Sequence, residues 1–267
     1  MIRRNRASLR LRSLVKPSPQ AAPLAVDPPE VPALGALSDL LDRLSQGETA
    51  LFLALATRVK LAPRQVLSYG DLPMEHVYFV ESGLVSVMAK ADKNHWVEAW
   101  AVGPEGLLGL PALLTEGHSA NRRVVQIGGT ALCFSSPGFR HALGSIMHLR
   151  AIGLEHLGFL LLQASQIGAC NARHSAMERV TRWLLLTCHQ LRERRISISH
   201  DVLARAIGLR RATVSDCLKQ LEACGAVRTG RRLIEVADTN VLQSRSCDCF
   251  NIMTRRRRRG VTPFSCF

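Results

Sequence analysis

The chain has 267 residues, of which 47% are apolar and 21% charged, with a formal net charge of +14. That length can bury a sizeable core in one or two domains, and the apolar fraction excludes wholesale disorder. No apolar run is long enough for a membrane-spanning helix, so no membrane partner is expected.

Residues 1–32 carry a net +4 and read as a disordered basic, Pro-rich extension, with Arg3, Arg4, Arg6, Arg10, Arg12 and Lys16 before Pro17, Pro19, Pro23, Pro28, Pro29 and Pro32. No apolar segment follows the basic one, so it does not read as a secretory signal. Residues 33–145 begin with helical patterning from Leu34 to Val59. Short strands follow over Val66 to Tyr69, His76 to Val80, Leu84 to Met88, Val97 to Val102, Arg123 to Ile127 and Ala131 to Phe134. Turn signals separate them at Gly70-Asp71, Glu81-Ser82-Gly83, Ala91 to Asn94, Gly103-Pro104 and Gly128-Gly129. Many short strands at this spacing predict an antiparallel barrel or jelly-roll-like β-roll.

A short helix at Phe139 to Leu143 leads into a long one, Met147 to Ala172, within residues 146–173. Gly153, Leu157, Leu160, Ala164 and Ile167 recur at alternating steps of four and three. Such a stripe is either a coiled-coil dimer seam or the buried face of a core helix. The seam is the preferred reading, with Leu154, Leu161 and Leu162 then facing the roll. Residues 33–173 balance to zero net charge, whereas 174–267 carry +10. Basic residues concentrated in one region are the footprint of a polyanion binder.

Residues 174–250 supply that region's fold. A helix from Ser175 to Arg192 forms a floor. His200 to Glu222 then reads as two helices around a turn at Gly208-Leu209-Arg210, with Ser199 as first cap. Val214, Cys217, Leu218 and Leu221 give the second helix a buried stripe. Arg210, Arg211, Ala212, Thr213, Ser215, Asp216 and Lys219 lie at its start or opposite face, a shape suited to the DNA major groove. An ordinary antiparallel helix pair fits the spacing equally well, and the flanking charge favours the groove reader. A hairpin over Ala226 to Val236, with Arg231 and Arg232 at its tip, reads as a phosphate-contacting wing. A short helix, Asn240 to Ser246, closes the domain, and residues 251–267 read as a solvated basic tail.

Eight cysteines, at 133, 170, 188, 217, 224, 247, 249 and 266, form no CxxC pattern, which fits a reducing, cytoplasmic setting. Cys247-x-Cys249 with Cys266 matches no standard zinc spacing, so no metal site is expected. No paired acid/base motif, phosphate loop or nucleophile elbow is visible, which argues against an enzyme.

The order of parts, and above all VLARAIGLRRATVSDCLKQLEACGAV, resembles the cyclic-AMP receptor/fumarate-nitrate regulator (Crp/Fnr) family of transcription factors. The resemblance spans roughly residues 34–250 and includes Gly70, Glu81-Ser82-Gly83-Leu84 and Gly103-Pro104-Glu105-Gly106. It implies an α+β chain: a cyclic-nucleotide-binding-like antiparallel roll, a long dimerisation helix and a C-terminal winged helix-turn-helix. It also implies a homodimer on double-stranded DNA, with RNA polymerase as a further partner. Arg211 matches the family's guanine-reading arginine and Thr213 a phosphate-contacting threonine. Ala212 and Asp216 stand where the cyclic-AMP receptor has glutamate and arginine, so a different operator is implied.

In that family a Gly-Glu-x-Ala/Gly-Leu cassette and a later arginine hold cyclic nucleotides. Here Gly109-Leu110-Pro111-Ala112-Leu113 is the best match, with Leu110 at the ribose-binding glutamate. Arg122 and Arg123 are near the arginine position but alternate between faces of a strand. An apolar Leu110 would leave a ribose hydroxyl unpaired, which argues against cyclic AMP. No iron–sulphur cluster is expected, because that branch uses N-terminal cysteines and the first here is Cys133. His76, His95, His118, His141, His148 and His156 could in principle ligate haem, though lone histidines are more often structural. The effector is left unknown. The competing reading is a cyclic-nucleotide-binding-like regulatory or scaffold module acting through protein partners.

Overall fold

The computed structural model describes residues 43–93, 95–104, 106–109 and 119–258. The N-terminal extension, the helix start near Leu34, Leu110, Ala112, Leu113, His118 and Cys266 lie outside these residues.

Helix α1 (Gln46–Leu55) opens the described chain with a capping box: the Ser45 hydroxyl accepts from the Glu48 N–H, and the Glu48 carboxylate accepts from the Ser45 N–H. Eight strands follow: β1 (Thr57–Leu61), β2 (Val66–Ser68), β3 (His76–Val80), β4 (Leu84–Lys90), β5 (Trp96–Val102), β6 (Leu107–Leu108), β7 (Arg122–Ile127) and β8 (Gly129–Ser135). They form two four-stranded antiparallel sheets, ordered β1-β8-β3-β6 and β2-β7-β4-β5. Val59, Leu61, Tyr78, Val80, Val85, Val87 and Val125 meet between them. Strands β1 and β6 carry no clear sequence signal: the first continues a helical pattern, and the second is too short to show a period.

Gly83 occupies φ +86°, and a Cβ there would come within 2.5 Å of the Ile127 carbonyl oxygen. The Glu81-Ser82-Gly83 turn therefore requires glycine. Nearby, the Glu81 carboxylate takes a fork of bonds from Arg58 Nε and Nη2.

Helix α2 (Ser136–Ser145) and the long α3 (Met147–Arg173) cover one sheet. Phe52, Phe79, Phe134 and Phe139 interlock there with ring centroids 4.7–5.7 Å apart. No single helix among the described residues is long and apolar enough to cross a membrane.

The winged region consists of α4 (Ala176–Leu191), β9 (Arg195–Ile196), α5 (His200–Ile207), α6 (Arg211–Ala223), β10 (Val227–Gly230), β11 (Leu233–Val236) and α7 (Thr239–Ser244). Its three strands are ordered β10-β11-β9. The third strand, β9, was also missed; two residues carry no readable alternation. The core includes Val180, Leu184, Leu203, Val214, Leu218 and Ile234, and it is continuous with Leu84 of the roll. Strand β4 is thus buried on both faces over Leu84–Met88, which explains its nearly unbroken apolar run.

Two expectations are corrected. The segment after Asn251 is not a solvated tail at its start: α8 (Cys249–Arg258) is helical and buries Met253 against Ile167 and Cys170 of α3. The stripe of α3 expected as a seam is also largely internal: Gly153, Leu160 and Ile167 are buried within the chain, while Leu157 and Ala164 are half-buried. Leu154, Leu161 and Met147 are instead 55%, 64% and 79% exposed, and Leu162 is also exposed. Two stripes with the same four-three spacing run side by side, one residue or about 100° apart. The sequence shows both, and only packing against the roll and α8 decides which is internal.

Candidate nucleic-acid interface

The turn of the helix pair is held by backbone geometry. Gly208 caps α5 at φ +65° and ψ +40°, and its N–H bonds the Ala204 and Arg205 carbonyls. The Arg179 guanidinium closes the same end on the Ile207 carbonyl. Ala204 is buried, as close approach of the two helices demands. Ser199 caps α5, its hydroxyl accepting from the Val202 N–H.

The N-cap of helix α6 is Arg210, whose side chain makes no capping bond. Val214, Cys217, Leu218 and Leu221 are buried. Arg210, Arg211, Ala212, Asp216 and Lys219 are exposed, while Thr213 and Ser215 are half-buried. Ser215 is less open than expected: its hydroxyl lies 3.0 Å from His200 Nδ1. Burial, then the neighbouring Arg211 charge, lowers the His200 pKa, so the neutral imidazole is the partner.

Arg231 and Arg232 form the two-residue tip between β10 and β11, both exposed, with Arg232 at φ +58°. Thr229 and Gly230 belong to β10. Glu222 braces the wing to α6: its carboxylate accepts from the Thr229 N–H at 2.9 Å and from its hydroxyl. Among the described residues, the side chains of Arg210, Arg211, Lys219, Arg231 and Arg232 make no hydrogen bond or ion pair within the protein.

The expected ligand-pocket residues divide. Gly109 sits at φ +111°, and a Cβ there would come within 2.9 Å of Met74 Sδ. Arg122 and Arg123 do alternate. The Arg122 guanidinium lies over the Tyr69 ring at 5.6 Å. Arg123 is buried, donating to the Ser68 and Ser119 hydroxyls at 2.9 and 3.4 Å, and burial pulls its pKa down to about 10. Among the histidines, His95 and His148 are engaged with Asp92 and Glu48, and His156 with the Leu107 backbone.

Sequence reasoning missed how the roll touches the winged region. A Cβ on Gly208 would lie 3.2 Å from Val97 of β5. Gln190 Nε2 donates to the Ala101 carbonyl at 3.1 Å. Between these contacts Glu98 is buried, bonded by the Ser86 hydroxyl and, at 3.0 Å, by Trp183 Nε1–H. Burial pushes the Glu98 pKa up, against these two bonds and the charge of Arg182. A glutamate inside a strand of mixed burial carries no sequence signal for a distant tryptophan.

Sequence reasoning also missed a second grouping. Cys247 and Cys249 meet Cys170 and His174, not Cys266, and their ligating atoms all lie within 4.8 Å of one another. The Cys170-x-x-x-His174 spacing on one helix face was a readable signal for it.

Residues 178–245 match the family model of the Crp-like helix-turn-helix domain. The fold is similar to that of FixK2 from Bradyrhizobium japonicum, at 21% identity and TM-score 0.62, covering 72% of this chain and 98% of that one. The c-di-GMP responsive global regulator CLP of Xanthomonas campestris matches at 21% identity and TM-score 0.60, covering 73% and 100%. A CooA mutant from Carboxydothermus hydrogenoformans matches at 17% and TM-score 0.57, covering 79% and 96%. A search of curated protein sequences finds no match. The chain therefore carries a Crp-like helix-turn-helix domain set in the fold of the Crp/Fnr-type DNA-binding transcriptional regulators.

Proposed function

We propose that the protein is a homodimeric, sequence-specific transcription regulator that reads an inverted-repeat operator with α6 and steadies itself on phosphates with the wing. The observation that carries this reading is the cationic face of α6 and the hairpin tip. Arg210, Arg211, Lys219, Arg231 and Arg232 are exposed and unused within the protein, behind a fully buried apolar stripe. On this reading Arg211 bonds guanine O6 and N7, Thr213 meets phosphate, and Ala212 and Asp216 set a base preference unlike that of a glutamate–arginine pair.

The dimer seam runs along the outer face of α3. Met147, Ala151, Leu154, Gly158, Leu161, Ser165 and Gly168 alternate at four and three, with the large members exposed and open space beside Gly158 and Gly168. Large residues alternating with small ones favour close helix pairing about a twofold axis. Such a dimer sets half-sites about 34–36 Å apart.

The effector is not cyclic AMP on this reading. Leu110 removes the ribose carboxylate, and the inward cation is Arg123 on β7, already bonded to two serines. The contact of β5 with α4 and α5 supplies the path by which the roll biases the DNA-binding helices. Selection from random duplexes by the full chain tests the reading. An enriched inverted repeat with one-turn spacing supports it; enrichment of single half-sites or of no sequence contradicts it.

A further inference from the structure

Four potential metal ligands converge where the C-terminal helix meets α3. Cys170 sits on the last turn of α3, and His174 caps that helix one turn later, so both face the same side. Cys247 and Cys249 arrive on the segment entering α8. Cys170, Cys247 and Cys249 are buried and His174 is half-buried. Cys170 Sγ lies 3.6 Å from Cys247 Sγ, and Cys249 Sγ lies 3.5 Å from His174 Nδ1. With the usual zinc bond lengths, tetrahedral edges come to about 3.8 Å between two sulphurs and about 3.6 Å between sulphur and nitrogen. The two observed contacts match those edges, and the whole set lies within 4.8 Å, a spread that closing onto an ion would reduce by about 1 Å.

We propose that Cys170, His174, Cys247 and Cys249 bind one tetrahedral divalent metal ion of the zinc class, clamping the start of α8 to the long helix. Two neighbouring groups support this. Gln166 Nε2–H points at Cys249 Sγ from 3.1 Å, the kind of second contact that steadies a metal-bound thiolate. Arg182, 3% exposed, keeps Nε and Nη1 buried without a partner among the described residues. Its charge acts on Cys170. Three thiolates and a neutral imidazole around a divalent ion carry one net negative charge, and the Arg182 guanidinium, which also feels the Glu98 carboxyl, is a nearby buried cation that offsets it.

A disulfide between Cys170 and Cys247 accounts for two of the four groups and leaves Cys249 and His174 unexplained. The described cysteines are all free thiols. A two-iron cluster needs ligands on separate irons, farther apart than this set. Zinc binding needs no oxidant: four metal–ligand bonds form, and the thiol protons pass to solvent.

The test uses the full chain, purified under reducing conditions without chelator. Elemental mass spectrometry should find zinc in equimolar amount. The metal-free protein titrated with Co²⁺ should give the spectrum of a tetrahedral, thiolate-bound ion, displaced by Zn²⁺. Cys249→Ser should reduce the thiolate-to-cobalt absorption, and Gln166→Ala should weaken binding by about 10–100-fold. Cys188→Ser and Cys224→Ser should leave binding unchanged. The wild-type titration decides by itself if a ligand variant fails to fold. An octahedral cobalt spectrum, an iron–sulphur chromophore, or a Cys170–Cys247 disulfide in reduced, metal-free preparations would overturn the proposal.

Discussion

The roll and the winged region use their cations differently. In the roll, Arg58 is forked onto Glu81, Arg123 is spent on two serine hydroxyls, and Arg43 holds Glu155 through two bonds of 2.6 and 2.9 Å. On α6 and the wing, Arg210, Arg211, Lys219, Arg231 and Arg232 stand in solvent with no partner among the described residues. The same amino acid therefore does two jobs. Where it is bonded internally it fixes strands; where it is left open it is available to a polyanion. The long helix repeats the contrast with apolar side chains, its inner stripe consumed by the roll and α8, its outer stripe unspent.

The strongest attack on this contrast is made on the outer stripe. Leu154→Asp with Leu161→Asp should leave the protomer folded, shift it to monomer in sedimentation velocity, and weaken operator binding by about 10²–10⁴, the gain that tethering two half-site readers provides. Leu160→Asp, one residue away on the inner face, should instead unfold the protein. If the outer pair unfolds it and the inner variant does not, the faces have been assigned wrongly.

A smaller loss is expected behind the recognition face. Leu218 is 1% exposed in the winged core, so Leu218→Ala should cost about 2–5 kcal/mol of stability by chemical denaturation. Lys219→Ala, its exposed neighbour, should change stability by less than about 0.5 kcal/mol while lowering affinity for any duplex.

The smallest effect concerns the junction. Burial raises the Glu98 pKa, so the folded state holds this proton more tightly than the unfolded chain. The stabilisation it gives is complete below the ordinary carboxylate value of 4.5 and declines as pH rises towards the folded value. Glu98→Gln, neutral throughout, should flatten that part of the thermal midpoint's pH profile. An unchanged slope would show that Glu98 ionises freely and that the junction is wet.

The strands His76 to Val80 and Leu84 to Met88, the long helix and the helix pair were all legible, because each shows a clean period or a glycine that only a turn can use. The wing was legible through its arginines. What could not be read depends on which surfaces meet. Strands β1, β6 and β9 are short or masked by helical composition. The choice between adjacent stripes on α3, the joining of Glu98 to Trp183, and the gathering of Cys170 with Cys247 all arise from contacts between segments far apart in sequence. Ser215 looked available on its helix face, and only the packing of His200 beside it shows otherwise.

The proposed function rests on the open cations of α6 reading sequence. The most direct test compares affinities of wild type and Arg211→Ala for the selected inverted repeat and for a scrambled duplex at ~150 mM salt. Wild type should strongly prefer the repeat, and Arg211→Ala should lose about 1–3 kcal/mol of that preference per half-site while keeping salt-sensitive binding to the scrambled duplex. Equal wild-type affinity for both duplexes would contradict sequence reading by α6.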